Sequence, residues 1–211
     1  MLCNIAATTL RRQFAGARTV LVARRPNVAL MLQMTTRTLS SSSVDDAPTS
    51  TDIANLQSMY KSDPSKAQVT FSSVSELTHG LRSTATIRDK YQYAADEPTW
   101  LGGTDSAPNP LEMLLASLGT CQEITYKAYA QVMGIKIERV SVSLDGNVDL
   151  RKFFGVEESA RAGFSSINGT VTIKSDADKK TLDQLKLAVD SHCPVLDCLS
   201  SIPVKITLVE D

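Results

Sequence analysis

An excess of charge of either sign is missing from this sequence. Its 211 residues carry 22 Lys and Arg against 23 Asp and Glu, a formal net charge of −1. That balance gives no general electrostatic pull on nucleic acid or on a membrane surface. No apolar run is long enough to span a bilayer. Four cysteines are too few for a disulfide framework. There is no internal repeat, no phosphate-cradling glycine loop, no nucleophile elbow and no zinc-ligand spacing. No acidic residue appears before Asp45.

The last absence coincides with an abundance. Arg11, Arg12, Arg18, Arg24, Arg25 and Arg37 are interspersed with Ala, Leu, Val and Thr, and Ser40 to Ser43 follow. An arginine-rich, serine-rich, acid-poor segment has the composition of an organellar transit peptide. Residues 1–43 are therefore expected to be a mitochondrial leader, with a plastid leader or a basic tail on a cytoplasmic protein as alternatives. Cys3 falls inside that segment. Residues 44–66, rich in Ser, Asp and Pro, read as a linker with a short helix at Ile53–Tyr60. Residues 67–211 remain for one domain.

That domain is organised around NPLEMLLASLGTCQEITYKAYAQVMG, residues 109–134. Leu111, Leu114, Leu115, Leu118, Cys121, Thr125, Ala128, Tyr129 and Val132 recur at three- and four-residue steps, which predicts a helix with one apolar face. Asn109, Pro110 and Glu112 give its start as a capping box with proline at the first position, and Gly134 its stop. Upstream, Val69 and Phe71 suggest a strand. His79-Gly80 marks a turn, and Arg82–Ile87 and Tyr91–Tyr93 suggest further strands. Glu97–Pro108 is loop. Downstream, Arg139–Leu144 alternates and Asp145-Gly146 reads as a turn. A long irregular segment from Asp149 to Gly163 follows. Ile167, Val171 and Ile173 mark a strand, bent at Gly169. Asp176 is placed to cap a second helix with Leu182, Leu185, Val189 and Cys193 as its stripe. Pro194 breaks it, Val195–Leu199 continues as another turn, and Pro203–Val209 is a closing strand. Strands, helix, two strands, helix and strand make an α+β fold, its sheets antiparallel or mixed with helices on one face.

Two cysteines lie on buried stripes. A lone thiol on such a face usually fills space. Two helices over one sheet can bring two stripes together, and Cys121 and Cys193 would then suit a thiolate and a resolving thiol. Cys193 precedes Pro194, so a new helical turn would start beside it and offer free N–H groups to a thiolate. His192 is adjacent but points elsewhere on a helix. Cys198 reads as a packing or surface residue. The spacing of His192, Cys193 and Cys198 fits no common zinc pattern, so neither a metal nor a bound cofactor is expected. A free thiol with a pKa of about 8.5 needs a cation to react at neutral pH. Arg82, Arg88, Arg139, Arg151 and Arg161 are candidates that spacing does not separate.

The segments PNPLEMLLASLGTCQ and HCPVLDCL, with LGGTDSAPNP before them and DLRKFFGV and ARAGF between, resemble the OsmC/Ohr family of thiol-dependent hydroperoxide reductases. The resemblance covers residues 67–209. It implies an intertwined homodimer with two sheets wrapped on central helices and active sites at the subunit interface. Cys121 would be the peroxidatic thiol and Cys193 the resolving one. The substrate would be a small hydroperoxide, and the reductant an external dithiol such as a lipoyl group. Arg82 would be the site arginine, with Arg88 in reserve. One position departs from the family. In the organic-hydroperoxide branch a glutamate follows the helix-start proline and holds the arginine. Here Leu111 stands there and the acid is Glu112, turned by about 100°. A non-enzymatic redox-sensing or binding protein, and buried thiols with no redox part, are the competing readings.

Overall fold

The computed structural model describes residues 53–210; the expected leader, with residues 44–52 of the expected linker, lies outside them. Chain order is α1 (Ile53–Ser62), β1 (Ser73–His79), β2 (Arg82–Ile87), β3 (Tyr91–Ala95), α2 (Pro110–Met133), β4 (Arg139–Val148), β5 (Phe164–Lys174), α3 (Lys179–His192), α4 (Pro194–Cys198) and β6 (Val204–Glu210). Short 3-10 turns lie at Pro64–Ala67 and Thr99–Leu101. The class is α+β, as the order of elements implied. One sheet is β1-β2-β3, wholly antiparallel; the other is β4-β5-β6, with β6 parallel to β5.

Helix α2 starts as its sequence requires. The Asn109 side chain accepts from the Leu111 N–H at 2.7 Å, and Glu112 Oε2 accepts from the Asn109 N–H at 2.8 Å. Gly134 closes the helix at φ +67, where a side chain would be strained. The buried face is rotated from the expected stripe. Leu118, Gln122, Thr125, Tyr126 and Ala130 are buried, whereas Val132 is exposed and Cys121 only half-buried. The reason lies in what covers α2. Tyr126 and Ala130 meet Leu182, Leu185 and Val189 of α3 together with Val171 and Ile173 of β5. Each fully buried leucine of that cluster contributes about 2–3 kcal/mol. A second cluster joins Leu118 to Phe164, Ile167, Cys193 and Leu199.

Local expectations fail where a residue serves tertiary packing. Asp145-Gly146 is no turn: β4 runs through it, with Asp145 opposite Asn168 and Gly146 opposite Ile167. Glycine is needed because a Cβ there would lie 2.4 Å from the Phe164 ring. Pairing likewise passes Gly169 without a register shift; the shift falls at Asn147/Val148. Asp178, not Asp176, caps α3, accepting from the Thr181 N–H at 2.8 Å. Strand β1 begins at Ser73, past Val69 and Phe71, which are 67% and 83% exposed. All of β1 is exposed. The first sheet faces α2 across an open cleft of about 990 Å³, with Ile87 and Tyr93 on one side and Met113, Ala116 and Thr120 on the other.

Candidate active site

Cys121 sits midway along α2. Cys193 stands between α3 and α4, in the extended conformation (φ −77, ψ 112) that a residue before proline favours. Its N–H still donates to Val189 O at 2.9 Å, so α3 holds it while Pro194 redirects the chain. The Cys193 side chain is 2% exposed, packed with Leu118, Phe164 and Ile167. The structure brings the two thiols together: Cys193 Sγ lies 3.3 Å from Cys121 Sγ, across 72 residues of sequence. Both are free thiols. A disulfide bond of about 2.05 Å needs little more than 1 Å of approach.

A cavity of about 440 Å³ opens onto Cys121. Ser117, Ile124, Ala128 and Tyr129 of α2 line it with His192 and Val195. The Thr120 and Thr125 hydroxyls donate to carbonyls of their own helix, to Ala116 O at 2.9 Å and Cys121 O at 2.7 Å, so this wall offers a ligand mostly apolar surface. His192 Nδ1 lies 2.7 Å from Ala188 O. A carbonyl only accepts, so that nitrogen carries the proton. The ring packs on Tyr129 with centroids 4.6 Å apart.

Burial pushes the Cys121 thiol up from its ordinary value. The Val195 N–H acts against this, neighbouring Cys193 adds to it, and the Thr125 hydroxyl opposes it. The N–H of Val195 is free because it lies in the first turn of α4, where no earlier carbonyl can reach it. The new helical turn after Pro194 therefore serves Cys121 rather than Cys193, the residue for which the sequence suggested that help. No side-chain capping bond comes from Cys193. Cys198 is exposed.

Among the described residues no arginine lines the cavity at Cys121. Arg82, at the start of β2, donates from Nη1 to the Ser106 hydroxyl in the loop before α2. Arg88 turns over the Tyr91 ring at 5.3 Å. Arg151 pairs with Asp149 at 2.6 Å, and Arg161 reaches Ser201 at 3.4 Å. Glu112 is taken up by the capping box. One residue passed over in the sequence stands out here. Asp96, 1% exposed, gathers the loop that contains Thr104 and Ser106, and its carboxyl is held well below the usual range, first by the Thr104 hydroxyl. The available signal was an acid at a strand end followed within ten residues by a run of glycines and short hydroxyl side chains.

Helices laid on a mixed sheet, with two free thiols in contact where three of those helices meet, define a small α+β protein with a paired-thiol site. A family model described as OsmC-like protein matches residues 103–208, half of the chain. The chain belongs to that family. No curated protein matches the sequence. Among solved structures, an OsmC-like protein from Mycoplasma pneumoniae superposes with a TM-score of 0.59 at 20% identity, covering 68% of this chain and 98% of its own. An organic hydroperoxide resistance protein from Elizabethkingia anophelis gives 0.55 at 18%, covering 68% and 98%. One from Legionella pneumophila gives 0.52 at 17%, covering 67% and 98%. At these identities the likeness is one of fold.

Proposed function

We propose that the protein is a thiol peroxidase that reduces organic hydroperoxides, with Cys121 as the attacking thiol and Cys193 as the resolving thiol. The observation that carries this reading is the 3.3 Å sulfur contact at the edge of a largely apolar cavity. The Cys121 thiolate attacks the terminal oxygen of ROOH. The O–O bond breaks, and the departing alkoxide takes a proton from solvent to leave as ROH. Cys121 is then a sulfenic acid. The Cys193 thiol condenses with it, releasing water and forming the disulfide. An external dithiol, with lipoyl groups as a candidate, reduces that disulfide by exchange and is itself oxidised.

The site is completed in a homodimer. In one chain Arg82 is tied to Ser106, just before the α2 cap, whereas Cys121 lies twelve residues beyond Asn109, about 18 Å along the helix. A second copy supplies the guanidinium, and its body covers Phe71, Val74 and Leu77, apolar side chains that the single chain leaves exposed. Cys121→Ser, supplied with a dithiol and an organic hydroperoxide, is expected to lose all peroxide consumption; unchanged turnover rejects the assignment. A redox sensor is the second reading, favoured by the raised Cys121 thiol and by a cavity lining that holds no Lys or Arg among the described residues. It predicts one disulfide per chain without sustained turnover in the unmodified protein.

A further inference from the structure

The paired sulfurs explain themselves, but the buried acid beside the first sheet does not. Asp96 is 1% exposed, and its two oxygens accept five hydrogen bonds. Oδ1 takes the Glu97 N–H at 2.9 Å. Oδ2 takes the Thr104 N–H at 3.2 Å, the Thr104 hydroxyl at 2.5 Å, the Ser106 N–H at 3.0 Å and the Ser106 hydroxyl at 2.8 Å. The Asp96 backbone N–H donates to Pro108 O at 3.2 Å. One residue therefore ties the end of β3 to both ends of the segment leading into α2. The loop is drawn in so closely that a Cβ at Gly103 would lie 1.8 Å from Glu97 O.

Ser106 faces two ways. Its hydroxyl hydrogen goes to Asp96, which leaves an oxygen lone pair, and Arg82 Nη1 donates to it. The register makes this natural: Ser83 pairs with Ala95, so Arg82 and Asp96 are the next residues outward on adjacent strands. Two other acids near the helix start are engaged elsewhere. Glu112 accepts from the Asn109 N–H and Glu97 from Asn109 Nδ2.

We propose that Asp96 and Ser106 are positioning residues for Arg82, joined in a hydrogen-bonded relay from carboxylate to hydroxyl to guanidinium. The relay does the work that a carboxylate in direct contact with the arginine would otherwise do. Its hydrogen bonds run in one direction, so each polarises the next. It uses one of the five guanidinium N–H donors, and the remaining four can grip a thiolate or the peroxide oxygens. That consequence rests on the peroxidase reading; the relay itself does not.

The test uses the full chain and separates the two. Ser106→Ala breaks the link while Asp96 keeps the donors of Glu97 and Thr104, and Ser106→Thr keeps a hydroxyl. The first readout is the side-chain nitrogen NMR signal of Arg82. Separate Nη signals in the unmodified protein and in Ser106→Thr, merging to an averaged signal in Ser106→Ala, are expected. Averaged signals in the unmodified protein, or separate ones that persist in Ser106→Ala, overturn the relay whatever the enzymology. The second readout is the rate constant of Cys121 with cumene hydroperoxide. Ser106→Ala is expected to lower it tenfold to a hundredfold, the cost of a misplaced catalytic group, with Ser106→Thr restoring most of the loss. In an Arg82→Ala background the same change should do nothing beyond about twofold. Losses that multiply mean that Ser106 acts on general stability and not through Arg82. An Arg82→Ala protein with undiminished rate refutes the peroxidase role of the arginine, leaving the NMR arm to decide the relay.

Discussion

Cys193→Ser separates the two halves of the proposed cycle, and the structure sets what each half should show. The side chain is 2% exposed among Leu118, Phe164, Ile167 and Leu199. A hydroxyl placed there has apolar neighbours where the thiol tolerated them, so the variant should lose about 1–3 kcal/mol of stability. For a domain of this size that lowers the melting temperature by a few degrees to about ten. Cys193→Ala, which buries no polar atom, should lose less stability and show the same chemistry. Attack on the peroxide needs Cys121 and the cavity, both retained, so each variant should consume a first equivalent of hydroperoxide per chain at the native rate. Resolution then fails. In the native protein the resolving sulfur waits 3.3 Å away, a placement that gives an intramolecular reaction a large advantage over any external thiol. Without it Cys121 should carry first one oxygen and then, under excess peroxide, two or three. Intact mass spectrometry after stepwise peroxide addition reads this directly. If both variants sustain dithiol-driven turnover at the native rate and never gain a second oxygen, Cys193 is not the resolving thiol.

Two further predictions probe the scaffold. Gly146→Ala puts a methyl 2.4 Å from the buried Phe164 ring, which packs in the same cluster as Cys193. It should cost about 1–3 kcal/mol, seen as a lower thermal midpoint, and an unchanged midpoint would contradict the packing described. Asp96 has its pKa lowered by folding, first by the Thr104 hydroxyl and then by the Ser106 N–H. Its contribution is therefore present above the unfolded carboxyl value of about 3.9 and lost as pH falls toward the folded one. Asp96→Asn should be less stable than the native protein at pH 7, and urea midpoints should show the gap closing as the buffer is acidified below that value. A gap that stays constant would mean that the charge does not matter.

Much of the fold is legible because local chemistry and tertiary need agree. Asn109, Pro110, Glu112 and Gly134 mark the ends of α2 by capping, and all four hold those positions in the structure. Leu182, Leu185 and Val189 keep helical spacing and are all buried. The failures share one cause. Gly146 has the local signature of turn chemistry, although it is an absence of side chain demanded by Phe164, a contact across eighteen residues that no local window contains. The α2 stripe is rotated because Tyr126 and Gln122 count as polar or mixed in a periodicity, yet both are fully buried, Tyr126 against the leucines of α3. Asp176 and Asp178 are equally good caps in isolation. The choice of Asp178 goes with Ala177 packing against the core cluster.

The site divides along the same line. The thiol pair was legible because each cysteine lay on an apolar stripe of a helix over one sheet, and that condition alone restricts where two sulfurs can meet. The cation was not, since an arginine carries no periodic signature, and Arg82, Arg88 and Arg151 look alike until partners are seen. The structure separates them by what occupies each guanidinium. Arg151 is spent on Asp149, with its Nε and Nη2 both on that carboxylate. Arg88 lies over Tyr91. Arg82 and Arg161 are each held by a neutral hydroxyl, of Ser106 and Ser201, and of the two only Arg82 is held by the loop that leads into α2, its position fixed without its charge being cancelled by direct contact. Under the peroxidase reading such a guanidinium would offset the burial that makes the Cys121 thiolate harder to form. An arginine paired directly to a carboxylate would bring a compensating negative charge to the sulfur, whereas one held through Ser106 keeps the Asp96 charge a residue further away.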